Sequence, residues 1–302
     1  MKNKRTYQLV FLMFILCVSS IKAQGLLEKL ENEFPDKPVY EIATFKTTRI
    51  ALGQSIETRK KGALEISMYN RYWNIPNFKG QRFLADKVST RFGLDFAISD
   101  NFTVGIGYTT FDKISDGTLK YKLIKQQRNS KKAPVSVTLF QGISHRKVTI
   151  KNAGLYSGNS SKNKYAFTSQ VLIARKFNSK LSLQIAPTLI HRAANTAKDD
   201  PNNQFAIGFS GRHKIGGHAS IISEYYYVAN PLKSIATYNA FTVGVNWELS
   251  HLLLQFHVTN ARNFAEDTFI TQTTNNFNFN DPNFHFGFNA TFVLHTNKNK
   301  LK

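Results

Sequence analysis

The stretch from Phe284 to Leu294 alternates strictly along its length. Phe284, Phe286, Phe288, Ala290, Phe292 and Leu294 share one face, and His285, Gly287, Asn289 and Thr291 share the other. A period of two with one apolar and one polar face predicts a β-strand. The same pattern recurs upstream. Phe92, Leu94, Phe96 and Ile98 oppose Arg91, Gly93, Asp95 and Ala97, while Phe102, Val104, Ile106 and Tyr108 oppose Thr103, Gly105, Gly107 and Thr109. Leu181, Leu183, Ile185 and Leu189 oppose Ser182, Gln184, Ala186 and Thr188, and Leu252, Leu254, Phe256 and Val258 oppose His251, Gln255, His257 and Thr259. From Gly62 onward the pattern predicts about twelve strands, near 62–72, 88–98, 102–111, 118–126, 134–144, 164–176, 181–191, 203–214, 218–228, 237–248, 251–260 and 284–295. An even number of strands about ten residues long, each with one apolar face, implies an all-β fold: a closed antiparallel transmembrane β-barrel with its apolar faces in hydrocarbon.

The connections support that reading. Ser99-Asp100-Asn101, Asn178-Ser179-Lys180, Ile215-Gly216-Gly217 and Glu248-Leu249-Ser250 are tight links, and Gln127 to Ala133 is somewhat longer. Between them run longer polar links: Trp73 to Lys87, Asp112 to Gly117, Arg146 to Asn163, Arg192 to Asn202, Ala229 to Ala236 and Ala261 to Asn283. Short turns on one side and long loops on the other are the habit of outer-membrane barrels, and they place both chain ends on the periplasmic side. A secreted β-sandwich would also alternate. Its strands, however, are usually nearer five or six residues, and aromatic residues such as Tyr225, Tyr227 and Trp247 near strand ends suit the girdles of a membrane barrel.

The N-terminus adds a route to the membrane. Lys2, Lys4 and Arg5 precede an apolar run from Leu9 to Val18, and Ile21-Lys22-Ala23 offers a small residue before a cut. Residues 1–23 therefore read as a cleaved signal peptide. The apolar run is too short for a membrane-spanning helix. Cys17, the one cysteine, lies inside that run, so the exported chain has neither disulfides nor a thiolate metal site. Residues 24–61 differ from the alternating strands downstream of them. Leu26, Leu27, Leu30 and Phe34 have helical spacing, Pro35 and Pro38 break it, and Val39 to Ile50 reads as extended. This region is expected to be a periplasmic lead-in or a plug in the lumen, ahead of a barrel over residues 62–302.

The formal charge of +21 would suggest nucleic acid in a cytoplasmic protein. Export redirects it. The expected partners become outer-membrane lipid, lipopolysaccharide phosphates or a small anionic solute, with no nucleic acid. His285, Gly287, Ala290 and Phe292 also fit a loose C-terminal pattern read by the barrel-assembly machinery, although the basic tail from Asn297 to Lys302 departs from it.

Several stretches resemble a family of Bacteroidota-type outer-membrane β-barrels, the domain-of-unknown-function family five-seven-seven-seven. They are Ala43 to Ile50; Gly105-Ile106-Gly107 with Phe111 to Lys122; Leu172 to Asn178; Asp199-Asp200-Pro201-Asn202; and His285 to Asn289. The resemblance implies an outer-membrane barrel, and it brings neither an activity nor functional residues.

Projecting the alternation inward gives the candidate lumen. The basic lining is Arg71, Arg91, Lys120, Lys122, Arg192 and Arg212, with Lys176 and Lys214 beside it; the acidic partners are Glu65, Asp95 and Glu224. Gln170, Gln184, His257 and His285 are its polar neighbours. Rings of Arg and Lys favour anions in pores, so the preferred reading is a passive or selective channel for small anionic solutes. The alternative is a non-conducting structural or adhesion barrel, with Arg91, Asp95, Glu65 and Glu224 satisfying one another in a filled lumen. The longer loops are the adhesion candidates. An outer-membrane hydrolase is the third reading. It lacks a nucleophile beside an oriented base, because Ser144-His145 and Ser250-His251 are adjacent on strands and point to opposite faces. No catalytic residue, metal site or cofactor is expected. Two histidines without a clear third ligand make a weak metal site. Asp116-Gly117 reads as turn chemistry rather than a calcium loop.

Overall fold

The computed structural model describes residues 38–73, 85–128, 133–146, 165–193, 197, 199–276 and 284–295. The predicted signal peptide, the helix expected from Leu26 to Phe34 and most of the Arg146 to Asn163 link lie outside the described residues. Twelve strands follow one another: β1 Ala63–Trp73, β2 Lys87–Ala97, β3 Phe102–Thr109, β4 Ile114–Ile124, β5 Ser136–Arg146, β6 Tyr165–Lys176, β7 Leu181–Arg192, β8 Asn203–Lys214, β9 Ala219–Val228, β10 Ala240–Leu249, β11 Leu252–Thr259 and β12 His285–His295. Each pairs antiparallel with its sequence neighbours, and β1 pairs with β12 to close the barrel. The closing register runs from Ala63 opposite His295 to Tyr72 opposite Phe286. Closure pairs the backbone of every strand and leaves no edge, the condition for crossing hydrocarbon with strands.

The side chains sort as the alternation requires. Phe92, Leu94, Phe96, Ile106, Leu139, Leu183, Phe256, Phe286 and Phe292 are exposed on the outer face. Tyr225, Tyr227 and Trp247 are exposed with them. The interleaved residues, among them Glu65, Arg91, Thr138, Gln184 and Asn289, are buried inside.

The largest departures from the expected boundaries fall at the starts of β4 and β10. Strand β4 begins at Ile114, four residues before the predicted start, so the link from β3 is only Thr110 to Lys113 and not a long polar loop. Lys113 makes this tight turn at φ 51°. Asp116 and Gly117, read as a turn, lie instead within the strand opposite Gly107 and Ile106. The reason is the inward row Ile114, Asp116, Thr118, Lys120, which continues the polar lumen face past the point where glycine suggested a stop. Strand β10 likewise begins at Ala240, three residues later than expected.

Candidate functional site

The lumen is occupied from both ends. Residues 44–56 lie inside the barrel, all buried except the half-buried Lys46. They form a tight hairpin: Arg49 bridges Gln54, Ile50 N–H donates to the Gly53 carbonyl at 2.9 Å, and Ser55 N–H donates to the Thr48 carbonyl at 2.9 Å. From the other side, the β11–β12 connection turns inward. Residues 261–273 are buried apart from the half-buried Arg262, and they carry a short helix, α1 Glu266–Thr271. This reverses the expectation of an outward loop from Ala261. Phe264, Phe269 and Ile270 explain the inversion, because they are almost wholly removed from solvent and hydrophobic side chains gain by burial.

The wall grips the hairpin through its main chain. Glu224 on β9 accepts N–H bonds from Ala51 at 3.0 Å, Leu52 at 2.6 Å and Gly53 at 3.0 Å. Lys120 on β4 donates to the carbonyls of Thr48 and, at 3.0 Å, Ser55. Gln184 on β7 accepts from Ile56 N–H and donates to the Gln54 carbonyl, both at 2.8 Å. Gln255 donates to the Ile50 carbonyl, and Asn289 to that of Ala51 at 3.2 Å. Two apolar patches complete the seat. Phe45, Ile50, Ala51 and Ile56 pack with Phe140, Leu172, Ala174, Ala186 and Ile222, while Leu52 packs with Ile190, Tyr226, Phe269 and Ile270.

All nine lumen candidates face inward, but their partners differ from the expected network. Arg91 makes a two-pronged ion pair with Asp116, not with Asp95. Glu65 meets Arg59 at 2.5 Å and accepts from the Thr48 N–H at 3.2 Å. Asp95 lies opposite Glu65 in the register, and the Thr48 hydroxyl is 2.7 Å from Glu65 and 3.0 Å from Asp95. Arg71, wholly buried, donates to the Asn70 carbonyl at 2.9 Å and to Asn289 at 3.1 Å, with the Phe264 ring 4.8 Å away. Lys122 pairs with Glu57 at 3.3 Å. Arg192 reaches Gln204, Thr271 and, at 2.9 Å, the Asp267 carbonyl. Arg212 pairs with Glu248 at 2.9 Å. The expected network of Arg91, Asp95, Glu65 and Glu224 does not form, because Asp116 takes Arg91, Arg59 and Thr48 take Glu65, and the hairpin N–H groups take Glu224.

Several participants escape a reading of the sequence, Arg59, Glu57 and Glu248 among them. Asp116 is hidden by its resemblance to turn chemistry. Arg49 and Glu266 lie on the two inserts rather than on strands, where alternation is silent. They form an ion pair at 2.7 Å that joins hairpin to α1. Gln54 adds a 2.7 Å hydrogen bond to Glu266, and Arg49 donates to the Phe264 carbonyl at 3.2 Å. The available signal was apolar: Phe45, Ile50, Leu52 and Ile56, then Phe264, Phe269 and Ile270, are large hydrophobic side chains in segments otherwise read as links. His257 and His285 are both inward and buried, and His285 Nε2 lies 2.6 Å from the Asn275 amide. Among the described residues no group of three metal-ligating side chains forms.

At the short-link mouth the segment leading into the hairpin is tethered. Tyr40 bridges Gln127, and Glu41 meets Arg128 at 2.8 Å and Lys176 at 3.4 Å. The Arg128 hydrogen bond holds the Glu41 carboxyl below its ordinary range; burial opposes this, and the Lys176 charge adds to it.

A closed strand cylinder with an apolar exterior and a charged interior filled by its own chain is a membrane-spanning β-barrel with an occupied lumen. The profile of the membrane-bound beta barrel domain family DUF5777 matches residues 45–294, and the chain belongs to that family. No curated protein matches it. Among solved structures, the KdgM porin is similar at 7% identity, over 77% of this chain and 99% of its own, with a TM-score of 0.46. The NanC porin is similar at 9% identity, over 78% and 100%, with a TM-score of 0.47. An outer membrane channel from Pseudomonas putida F1 is similar at 12% identity, over 79% and 98%, with a TM-score of 0.43.

Proposed function

We propose that this protein is an outer-membrane channel held shut at rest by its own hairpin, residues 44–56, and by α1 from the opposite side. The observation that carries this reading is the way wall charges are satisfied. Glu224 and Lys120 are partnered largely by main-chain groups of the hairpin. Charged groups withdrawn from water need such partners, and water supplies equivalent ones when the hairpin leaves. Withdrawal therefore exchanges hydrogen bonds with protein for hydrogen bonds with solvent, and the open state lies within reach. Its wall would present Arg71, Lys120, Lys122 and Arg192 against Glu65, Asp95 and Glu224, while Arg91 and Arg212 keep their own carboxylates. The small excess of cations favours small anionic solutes.

Gly53 provides the test. A side chain there would place its Cβ on the Tyr226 hydroxyl, far inside contact distance. Gly53→Ala therefore displaces the hairpin tip. In planar bilayers the unmodified chain is expected to remain mostly closed, while Gly53→Ala conducts with a slight preference for anions. A folded Gly53→Ala barrel that stays silent at every voltage would favour the second reading, a permanently filled structural barrel. The buried Arg49–Glu266 pair and the two apolar patches are the features that support that alternative.

A further inference from the structure

The apolar outer face of the barrel is interrupted at mid-height by a hydrogen-bonded polar pair. Gln141 and Ser169 lie near the middles of β5 and β6 and stand opposite each other in the register. Both belong to the outward row of their strand, and both are exposed. The Ser169 hydroxyl donates to Gln141 Oε1 at 2.6 Å, and Gln141 Nε2 donates to the Gly142 carbonyl at 3.2 Å. A side-chain amide has two N–H donors and an oxygen that accepts twice. One donor and one acceptor position of Gln141 are therefore left over. They face hydrocarbon, where no water can satisfy them and an unpaired amide group is costly.

Ser223 and Asn70, which also belong to outward rows, differ from this pair. Ser223 carries a single donor. Asn70 is only 5% exposed, and it is bonded to the Thr90 hydroxyl at 2.7 Å and the Phe288 carbonyl at 3.4 Å. Gln141 and Ser169 instead line a groove of about 600 Å³ that runs over the outer face from β3 to β8. Leu119, Tyr121 and Leu139 border them on one side, and Val171, Leu189 and Phe205 on the other. Two convex cylinders touch along a line, but a groove of this width lets a second barrel approach across several strands.

We infer that the β5–β6 face is a contact between two copies of this chain in the membrane, with the Gln141 amides of the two copies paired across a twofold axis. The occupant is set by the donor count. A second Gln141 turned through half a rotation presents the same donor and acceptor in reverse, so both bonds close at once, as a self-complementary patch requires. An acyl chain offers neither group. Both copies span the bilayer in the same orientation, so the axis runs along the membrane normal and sets like residues of β5 face to face at equal depth. The contact uses only the outside of the wall and does not rest on whether the lumen conducts.

The full chain folded into phospholipid bilayers tests this, with Cys17→Ser making each introduced cysteine unique. Leu139→Cys lies on the outer face two residues from Gln141, at a position 41% exposed. Phe256→Cys is the control, on the outer face of β11 at the opposite side of the closed strand order, at a position 43% exposed. The probe is a short bis-maleimide, applied over a range of protein-to-lipid ratios. Leu139→Cys is expected to give a cross-linked dimer that persists on dilution into lipid, whereas the Phe256→Cys product falls away as collisions become rare. Gln141→Leu and Gln141→Met, each added to Leu139→Cys, should weaken dimerisation by about eightfold, the factor set by two hydrogen bonds within a membrane. Both replacements put an apolar side chain against lipid, so the barrel itself still folds. Equal cross-linking at the two sites, a Leu139→Cys dimer that dilutes away, or a yield unchanged by both replacements would overturn the inference. The conductance of Gly53→Ala is read separately, so failure of one proposal leaves the other standing.

Discussion

Arg49 and Glu266 are each about 4% exposed, and their 2.7 Å contact is the charged link between the two inserts. Two charges withdrawn from water tolerate burial together far better than apart. Glu266→Ala leaves Arg49 without a countercharge and is expected to destabilise the inserted state by about 3–5 kcal/mol. The pair Arg49→Met with Glu266→Leu should recover most of that loss, because no orphaned charge remains. Urea midpoints of the single and double variants measure the coupling. At this scale the sequence is informative wherever a residue sits on a strand. Arg71, Arg91, Lys120 and Glu224 are placed on the inner face by parity alone. Parity says nothing about what stands across the lumen, so it matches Glu224 with arginines when its partners are the N–H groups of Ala51, Leu52 and Gly53.

The hairpin element is tied to the wall at its entrance as well as its tip. Glu41 N–H donates to the Gln126 carbonyl at 2.8 Å and Arg128 N–H to that of Val39 at 2.8 Å, next to the ion pairs of Glu41. A carboxyl whose folded pKa is lowered adds stability that is present above its unfolded value and lost as pH falls through the folded one. Acidification below the ordinary carboxylate range should therefore release residues 38–42. Hydrogen-exchange protection of Glu41 N–H, corrected for intrinsic rates, is expected to fall there before that of strand β1. Protection that is flat with pH would mean the Glu41 pairs contribute nothing to the tether. The element itself is half legible. Residues 24–61 stand apart as a lead-in or plug because strand alternation is absent there, yet the seat of residues 44–56 depends on Phe140, Leu172 and Gln184 from distant strands. Helix α1 leaves no trace in the pattern, since six residues inside a polar link give too short a period for helical spacing to register.

At the scale of the whole molecule, the arrangement is a cylinder turned inside out relative to a water-soluble domain. Large apolar side chains such as Phe256, 43% exposed, point outward, and its ring lies 5.1 Å from that of Phe288 across the β11–β12 pair. Phe256 lies midway along β11, and a basic side chain on the lipid face near the bilayer midplane costs about 2–4 kcal/mol. Phe256→Arg should lower folding stability in bilayers by that amount. Gln255→Arg, one residue along, faces the lumen and would disturb the hairpin seat at the Ile50 carbonyl instead. Equal stability losses in the two variants, with equal effects on the hairpin, would contradict the inside–outside assignment. The sequence by itself determined the strands, their two faces and the closed sheet, because a period of two is a local property and hydrocarbon forbids an unpaired edge. Only the tertiary structure decided what fills the lumen and which charges meet. Those contacts join segments far apart in the chain, and no local pattern encodes which of them will share the space that closure creates.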